Sequence, residues 1–339
     1  MTQIQQNIPL RQYNTLGIDA IASLFATFTS SEELKVLIED NPIPGKDPLI
    51  LGGGSNMLFK DHVSGLVLKN EIPGLSVVKE DAGHVYVKAG AGENWHGFVQ
   101  FCLKQNWAGV ENLSLIPGCV GASPMQNIGA YGVEIKEVFE ELEAFHIHDK
   151  EMHVFKAGDC AFGYRESVFK GKYRNQYVIL NVTYRLNKVP KFNTSYGAIE
   201  QELERMGVQQ VSIQAVSQAV INIRSSKLPD PAKIGNAGSF FKNPSVTADV
   251  YTQLKIQYPN IVGYSNADGT VKLAAGWLIE QSGWKGYRRG DAGVHEKQAL
   301  VLVNYGNATG QEIYDLSEDV MKSVHAKFGV HLEREVNVV

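Results

Sequence analysis

An α+β protein is predicted by three features of this 339-residue sequence. Near the N-terminus, strand, helix and strand patterns follow one another and run into a glycine loop. In the middle, runs of residues alternate like sheet strands around one long stretch with no helical or extended period. After a Pro-rich break at Ser225-Ser-Lys-Leu-Pro-Asp-Pro231, helical and extended patterns alternate again. A chain of this length can bury a large core and divides into two or three domains.

Leu24 to Phe28 reads as a strand. Ser30 with Glu33 forms a capping-box signature, and Leu34, Leu37 and Ile38 give the following helix an apolar face. Pro42 and Pro44 close it. Leu49 to Leu51 is a short buried strand that enters Gly52-Gly-Gly-Ser-Asn56. Leu66 to Leu68 and His84 to Lys88 continue the strands. Trp95, Phe98, Val99 and Cys102 recur at helical spacing and should face a core. Leu142 to His148 and Val178 to Leu186 alternate as strands do. Val211 to Arg224 is an amphipathic helix with Val216, Ala219, Val220 and Ile223 on one face. Beyond the break, Leu254 and Tyr258 share a helix, and Leu273 to Gln281 forms another. Trp284 to Arg289 is a basic, aromatic turn, and Leu300 to Val303 is a buried strand. Thr309 and Glu312 cap a helix whose apolar face is Ile313, Leu316, Val320, Val324 and Phe328, and Gly329 ends it. Val330 to Val339 reads as a last strand, with Leu332, Val336 and Val338 on its packing side and Glu333 and Glu335 on the other.

A net charge of −4 without basic clusters argues against nucleic acid as a partner. No apolar run is long enough to span a bilayer, so no membrane role is expected. Met1-Thr-Gln-Ile-Gln-Gln lacks a basic segment followed by an apolar one, which points to the cytoplasm. Cys102, Cys119 and Cys160 are odd in number and widely spaced, the pattern of free thiols. His146 and His148 alternate on a strand and lack a third ligand, so no metal site is expected.

Two loops attract attention. Ile116 to Gly132 is uncharged and rich in small residues, with Ser123, Gln126 and Asn127 as short hydrogen-bonding arms. It suits either a ligand-lining loop or a buried crossover with packing glycines. Gly52 to Asn56 is neither a P-loop, for want of Lys-Ser/Thr, nor a G-x-G-x-x-G turn. Consecutive glycines can still aim several N–H groups at one anion, as a pyrophosphate nest requires. Arg165 lies among Gly163, Tyr164 and Phe169, where partial burial would demand a carboxylate or an anionic partner. Ser239 has no nearby histidine and no G-x-S-x-G elbow, so a hydrolase triad is not supported.

Together and in order, Asn14-Thr-Leu-Gly17, Leu51-Gly-Gly-Gly-Ser-Asn56, Ile116 to Gly132, Phe162-Gly-Tyr-Arg-Glu-Ser167, Gly235-Asn-Ala-Gly-Ser-Phe-Phe-Lys-Asn-Pro244 and Leu332-Glu-Arg-Glu-Val336 closely resemble the UDP-N-acetylenolpyruvoylglucosamine reductase family of flavoproteins. The resemblance covers nearly the whole chain. It implies an FAD-binding module of the vanillyl-alcohol-oxidase type in two α+β subdomains, 1–70 and 71–224. An α+β substrate domain, 225–339, follows, whose last strand, 330–339, can pack back toward that module.

The resemblance also implies function. The family reduces the enolpyruvyl ether of UDP-N-acetylglucosamine to UDP-N-acetylmuramate in peptidoglycan synthesis, with NADPH as hydride donor and FAD as relay. By motif, Gly52, Gly53, Gly54, Ser55, Asn56 and Met57 would cradle the FAD pyrophosphate, and Ser123, Gln126, Asn127, Ile128 and Gly129 would line the flavin. Arg165 matches the electrostatic stabiliser, Ser239 the proton donor and Glu335 the carboxyl that polarises the substrate. Tyr196, Lys227, Asn243 and Gln298 match positions that hold the UDP-sugar. Ser195-Tyr-Gly197 resembles the type with a tyrosine-bearing loop. A monomer is expected. Arg334 stands where proline is common in the family, and only motif alignment selects Glu335 over Glu333. Two other readings remain open: an FAD-dependent alcohol or sugar oxidase of the same fold, and a non-catalytic nucleotide-sugar binding protein.

Overall fold

The computed structural model of the chain describes residues 3–43, 45–195 and 197–339. Its contacts divide it into two compact units. The first comprises residues 1–8, 22–53 and 63–226, and the second 9–21, 54–62 and 227–339. Both expected FAD-binding subdomains thus fall largely within the first unit. The division at 226/227 lies at the end of a helix, beside the Pro-rich break.

The first unit holds two sheets. In the smaller, Ile21–Phe28 and Leu49–Leu51 both pair parallel with Val63–Asn70, and Gln5–Pro9 lies at the far edge. Helix α1 (Ser31–Glu39) connects the first two of these in sequence. Ser30 caps α1 by accepting from Glu33 N, while Glu33 reaches back to Thr29 N at 2.7 Å, one residue before the expected box partner. The larger sheet is antiparallel, in the order Met152–Lys156, Phe139–His146, Tyr177–Asn187, His84–Gly90, Leu75–Glu80.

Helix α2 (Trp95–Lys104) buries Trp95, Phe98, Val99 and Cys102 on the larger sheet, where the ring of Tyr184 lies 4.6 Å from that of Phe98. Each fully buried large apolar side chain of this kind contributes about 1.5–3 kcal/mol. A second cluster joins Phe28, Leu34, Leu37 and Leu66 to Phe145, Val178 and Leu180, so the two sheets share a core. Helices α3 (Gly197–Arg205) and α4 (Ile213–Lys227) pack together through Ile199, Leu203, Ala219, Val220 and Ile223. The last helix begins later than its periodicity suggests, because Ser212 Oγ accepts from Ala215 N and so caps it.

In the second unit, Gly235–Asn236, Leu302–Asn304, Ala292–Val294 and Arg288–Arg289 form an antiparallel sheet, and Ser245–Val246, Val271–Leu273 and Gly263–Ser265 a smaller one. Helices α5 (Ala248–Gln257), α6 (Ala275–Gln281) and α7 (Gly310–Phe328) accompany them. The capping box of Thr309 with Glu312 and the left-handed Gly329 bound α7, and all five residues of its predicted apolar face are buried.

The C-terminal segment differs from the single strand expected. Its 333–335 stretch bonds to residues 240–242, whereas Asn337–Val338 pairs parallel with Met57–Leu58. The change of partner breaks the alternation, so Leu332 and Val336 are buried but Val338 is 36% exposed.

Among the described residues no helix is long and apolar enough to cross a membrane, and no His, Cys, Asp or Glu group is placed to hold a metal ion. Cys102, Cys119 and Cys160 are all free and buried.

Candidate active site

In the first unit the two glycine loops meet. A Cβ on Gly53 would stand 2.7 Å from Gly118 Cα, so neither loop could approach the other with a side chain there. Gly121 is packed as tightly, 2.7 Å from the Ala91 side chain. This backbone-lined cradle suits a cofactor gripped through main-chain N–H groups. Gly52 belongs to the same contact, facing Cys119.

Gly54 to Met57 belong to the second unit. Gly54 is left-handed (φ 61°) and a Cβ would meet Tyr13 O at 1.9 Å, so only glycine fits. Its carbonyl accepts from Thr15 N at 3.1 Å. Among the described residues the buried Thr15 Oγ1 has no hydrogen-bond partner, an orphan that fits a ligand group at this turn. Ser55 is half-buried. Asn56 Nδ2 donates to Glu335 O at 3.3 Å, and Asn56 O accepts from Asn337 N at 3.1 Å, so the glycine turn is tied to the segment bearing Glu335. Met57 continues into the strand paired with Asn337.

The polar arms of the long loop are largely used within the protein. Ser123 Oγ bonds to Tyr184 OH at 2.8 Å inside the core, and burial pushes that phenol well above its ordinary range. Asn127 is fully buried and left-handed (φ 44°). Its Nδ2 donates to Glu134 Oε2 and Gly163 O, and its Oδ1 accepts from Lys136 N. Ile128 N donates to Ser123 O, and Ile128 O accepts from Ile135 N. These residues fix the loop's shape; Gln126 is half-buried beside them. Glu134, for which no sequence motif gives a signal, braces Asn127 and crowds Gly129. A Cβ on Gly129 would lie 2.9 Å from Glu134 Cγ and 3.1 Å from Arg165 Nη1.

Arg165 is half-buried, as its apolar flanks suggest. It is left-handed (φ 55°), and its Nη2 donates to Gly129 O at 2.7 Å. A non-glycine residue in this region stores about 1–3 kcal/mol of strain. The strain aims a guanidinium at the loop, with its centre 5.4 Å from the Tyr164 ring.

In the second unit Ser239, half-buried, is held between two anchors. Gly238 N donates to Asn236 Oδ1, and Phe240 N donates to Leu300 O. The next residues pair with the C-terminal segment: Glu335 N donates to Phe240 O, Lys242 N donates to Glu333 O, and Phe241 bridges Arg334. That register separates the two carboxylates. Glu333 lies opposite Lys242 and forms an ion pair with its Nζ at 2.7 Å, with its own side chain 71% exposed. Glu335 is half-buried, one pair closer to Ser239. Arg334 points the other way: its Nε donates to Ser317 Oγ at 2.8 Å, its Nη2 pairs with Glu318, and its centre stacks 4.4 Å from the Tyr314 ring. The arginine that departs from the family pattern is thus a tether to α7.

Asn243 and Gln298 converge on the first turn of α6. Asn243 Oδ1 accepts from Ala275 N at 2.9 Å, and Gln298 Oε1 is 3.1 Å from where a Cβ of Gly276 would stand. Lys227 is exposed at the end of α4. Tyr196 lies outside the described residues.

Comparison with known proteins bears on both units. The sequence profile described as an FAD binding domain matches residues 22–153, and the one described as the C-terminal domain of UDP-N-acetylenolpyruvoylglucosamine reductase matches residues 230–339. The chain is 50% identical over 336 residues to the UDP-N-acetylenolpyruvoylglucosamine reductase of Amoebophilus asiaticus, covering 99% of each. It is 49% identical over 338 residues to that of Flavobacterium johnsoniae, covering 99% of this chain and 100% of the relative. The crystal structure of UDP-N-acetylenolpyruvylglucosamine reductase from Thermus caldophilus matches with a TM-score of 0.71 at 24% identity, covering 100% of this chain and 99% of that one, a likeness of fold. With an FAD-binding profile on the unit that builds the glycine cradle, and half of all residues shared from end to end, the chain belongs to the UDP-N-acetylenolpyruvoylglucosamine reductase family.

Proposed function

We propose that this protein reduces the enolpyruvyl group of UDP-N-acetylglucosamine-enolpyruvate to UDP-N-acetylmuramate, a step of peptidoglycan precursor synthesis. NADPH is the hydride donor. The observation that carries this reading is the identity of about half the residues with named reductases over 99% of the chain. FAD, when bound, relays a hydride from NADPH to the terminal carbon of the enolpyruvyl double bond.

The chain's own residues hold the reactants and manage the charge. Gly52 to Met57 offer main-chain donors and a turn that only small residues can make, which suits the pyrophosphate of the cofactor. Ser123, Asn127, Ile128 and Gly129, with Gln126, shape the wall along the flavin. Hydride addition leaves negative charge on the neighbouring carbon and its carboxylate. The planar fork of Arg165, preset by its bond to Gly129 O, stabilises that charge without reorganising. Ser239 delivers the proton to the carbon. Glu335 polarises the substrate. Its half-buried side chain supports this choice over Glu333, which is solvated and spoken for by Lys242. Tyr196, Lys227, Asn243 and Gln298 hold the UDP-sugar and its phosphates, in the manner of the tyrosine-loop type. Residues 1–70 and 71–224 serve FAD, and 225–339 the substrate. The protein works as a monomer in the cytoplasm.

An anaerobic visible spectrum of the purified protein tests the reading. The expected result is a flavin band that bleaches with NADPH and returns on adding the enolpyruvyl UDP-sugar. A flavin that NADPH leaves oxidised, but that an alcohol or sugar reduces, identifies an oxidase of the same fold. A colourless protein that binds UDP-sugar and takes up no FAD identifies a binding protein.

A further inference from the structure

A short β-hairpin in the first unit carries the carbonyl on which Arg165 leans. Gly129–Ala130 and Val133–Glu134 pair antiparallel, and Tyr131 and Gly132 make the two-residue turn with φ of 50° and 80°. Positive φ at both positions lets so tight a turn follow the right-handed twist of its strands. At the start of the hairpin, Gly129 O accepts from Arg165 Nη2 at 2.7 Å. The direction of that guanidinium therefore depends on where the hairpin stands.

The carbonyls of the turn lie outside the hairpin's own ladder, and an asparagine takes each of them. Asn112 is 2% exposed, in the short turn Glu111–Leu113. A carboxamide nitrogen has two protons to give. Asn112 Nδ2 donates to Tyr131 O at 3.0 Å and to Asn193 O at 2.8 Å. Asn193 is half-buried, and its Nδ2 donates to Gly132 O at 3.0 Å, while its Oδ1 accepts from Ser195 Oγ at 3.2 Å. A Cβ on Gly132 would stand 3.2 Å from Asn193 Nδ2, so this approach is made to a residue without a side chain. Two uncharged side chains thus join three segments that are far apart in the sequence: the 111–113 turn, the tip of the hairpin and the stretch 193–195. An aspartate at either position would set acceptor against acceptor.

We propose that Asn112 and Asn193 are positioning residues, which hold the hairpin tip against the 193–195 stretch and thereby aim Arg165. The inference rests on the reading under Proposed function, in which Arg165 stabilises charge on the enolpyruvyl group and the stretch leading to position 196 serves the UDP-sugar. Neither asparagine touches the reacting atoms. Without their bonds the turn pivots on its strands, Gly129 O moves with it, and the guanidinium loses its preset direction. A misplacement of about 1 Å is enough to cost about a hundredfold in rate.

The test uses the FAD-loaded full-length protein with Asn193→Ala and Asn112→Ala. Asn193→Ala removes the bond to Gly132 O and leaves the main-chain carbonyl at 193 for Asn112. Stopped-flow absorbance reads the two half-reactions separately, and FAD affinity is measured beside them. The expected result for Asn193→Ala is reoxidation of the reduced flavin by saturating enolpyruvyl UDP-sugar slowed at least tenfold, with FAD affinity and reduction by NADPH within twofold of wild type. Asn112→Ala, which loses both of its bonds, should show the same split to a greater degree; if it does not fold, Asn193→Ala decides alone. A slowing of less than tenfold in Asn193→Ala means that Arg165 is aimed without this clamp, and overturns the proposal. Equal losses in both half-reactions, or a parallel loss of FAD, mean a general loosening of the fold and overturn it as well. A wild-type protein whose reduced flavin the sugar does not reoxidise overturns the proposed function itself, and this inference with it, before any variant is compared.

Discussion

Arg165 and Gly53 show how much a single residue can decide here. Arg165 tolerates a left-handed backbone and spends one nitrogen on Gly129 O, which fixes the direction of the rest of the fork. Lysine in its place would keep the charge, the Cβ and the strain, and lose only the planar geometry. We expect Arg165→Lys to slow flavin reoxidation by the enolpyruvyl UDP-sugar at least a hundredfold and to leave reduction by NADPH near normal, as stopped-flow absorbance at the flavin band would report. Equal effects on both half-reactions would remove Arg165 from the chemistry of the sugar. Gly53 is limiting for a different reason, since a Cβ would come within 2.7 Å of Gly118 Cα. Backbone atoms cannot swing aside as a long side chain can. Gly53→Ala should therefore cost about 1–3 kcal/mol as an overpacked contact and part the two loops. The expected readout is a lower thermal midpoint and at least tenfold weaker FAD binding. FAD affinity unchanged from wild type would mean that the contact is not part of a cofactor cradle.

Among the elements, α7 is the one most fully specified by local signals. Thr309 Oγ1 accepts from Glu312 N at 3.2 Å, Glu312 Oε2 accepts from Thr309 N at 2.7 Å, and Gly329 closes the other end. Removing the cap by Thr309→Ala should destabilise the protein by about 1 kcal/mol. That appears as a lower urea midpoint with an unchanged slope; a shift below a tenth of the wild-type midpoint together with an altered slope would point instead to a change in the unfolded state. The helix also receives Arg334 on Ser317, Glu318 and Tyr314, which orients the segment carrying Glu333 and Glu335. The sequence identified both glutamates but could not separate them, because alternation along a strand gives them the same face. Cross-strand partners separate them: Lys242 stands opposite Glu333, and Phe240 opposite Glu335.

At the scale of the whole molecule, stability carries a pH signature from Glu111. It is 2% exposed and accepts from Gly109 N at 2.6 Å, yet burial raises its pKa above the ordinary carboxylate value. A raised folded pKa means that the group's contribution is fully present below the unfolded carboxylate pKa and is lost as pH rises through the folded value. We expect the urea midpoint to fall as pH rises above the ordinary carboxylate range, and Glu111→Gln, which cannot ionise, to flatten that fall. An identical fall in the variant would assign it to other groups. The two units themselves were only partly legible. The break near Lys227 follows from Pro229 and Pro231, but the inclusion of residues 9–21 and 54–62 in the second unit follows from long-range bonds such as Asn236 N to Thr15 O. No local pattern encodes such a partner.

The sequence alone determined the α+β class, the capped and amphipathic helices, the two glycine loops and, through the order of its motifs, the family. These are properties of local periodicity, of φ preference and of residue types at fixed spacing, which a linear chain displays directly. Tertiary structure decided what the loops' polar groups do. Ser123 and Asn127 had the look of ligand-binding arms and are bonded inward to Tyr184, Glu134 and Gly163. Arg224, at the end of a predicted helix, is half-buried and donates its Nε to Leu115 O, a partner far away in the sequence. The reason is common to both cases. The behaviour of a hydrogen-bonding or charged group depends on which distant segments supply its partners and how far water is excluded, and both are fixed only when the chain has closed on itself.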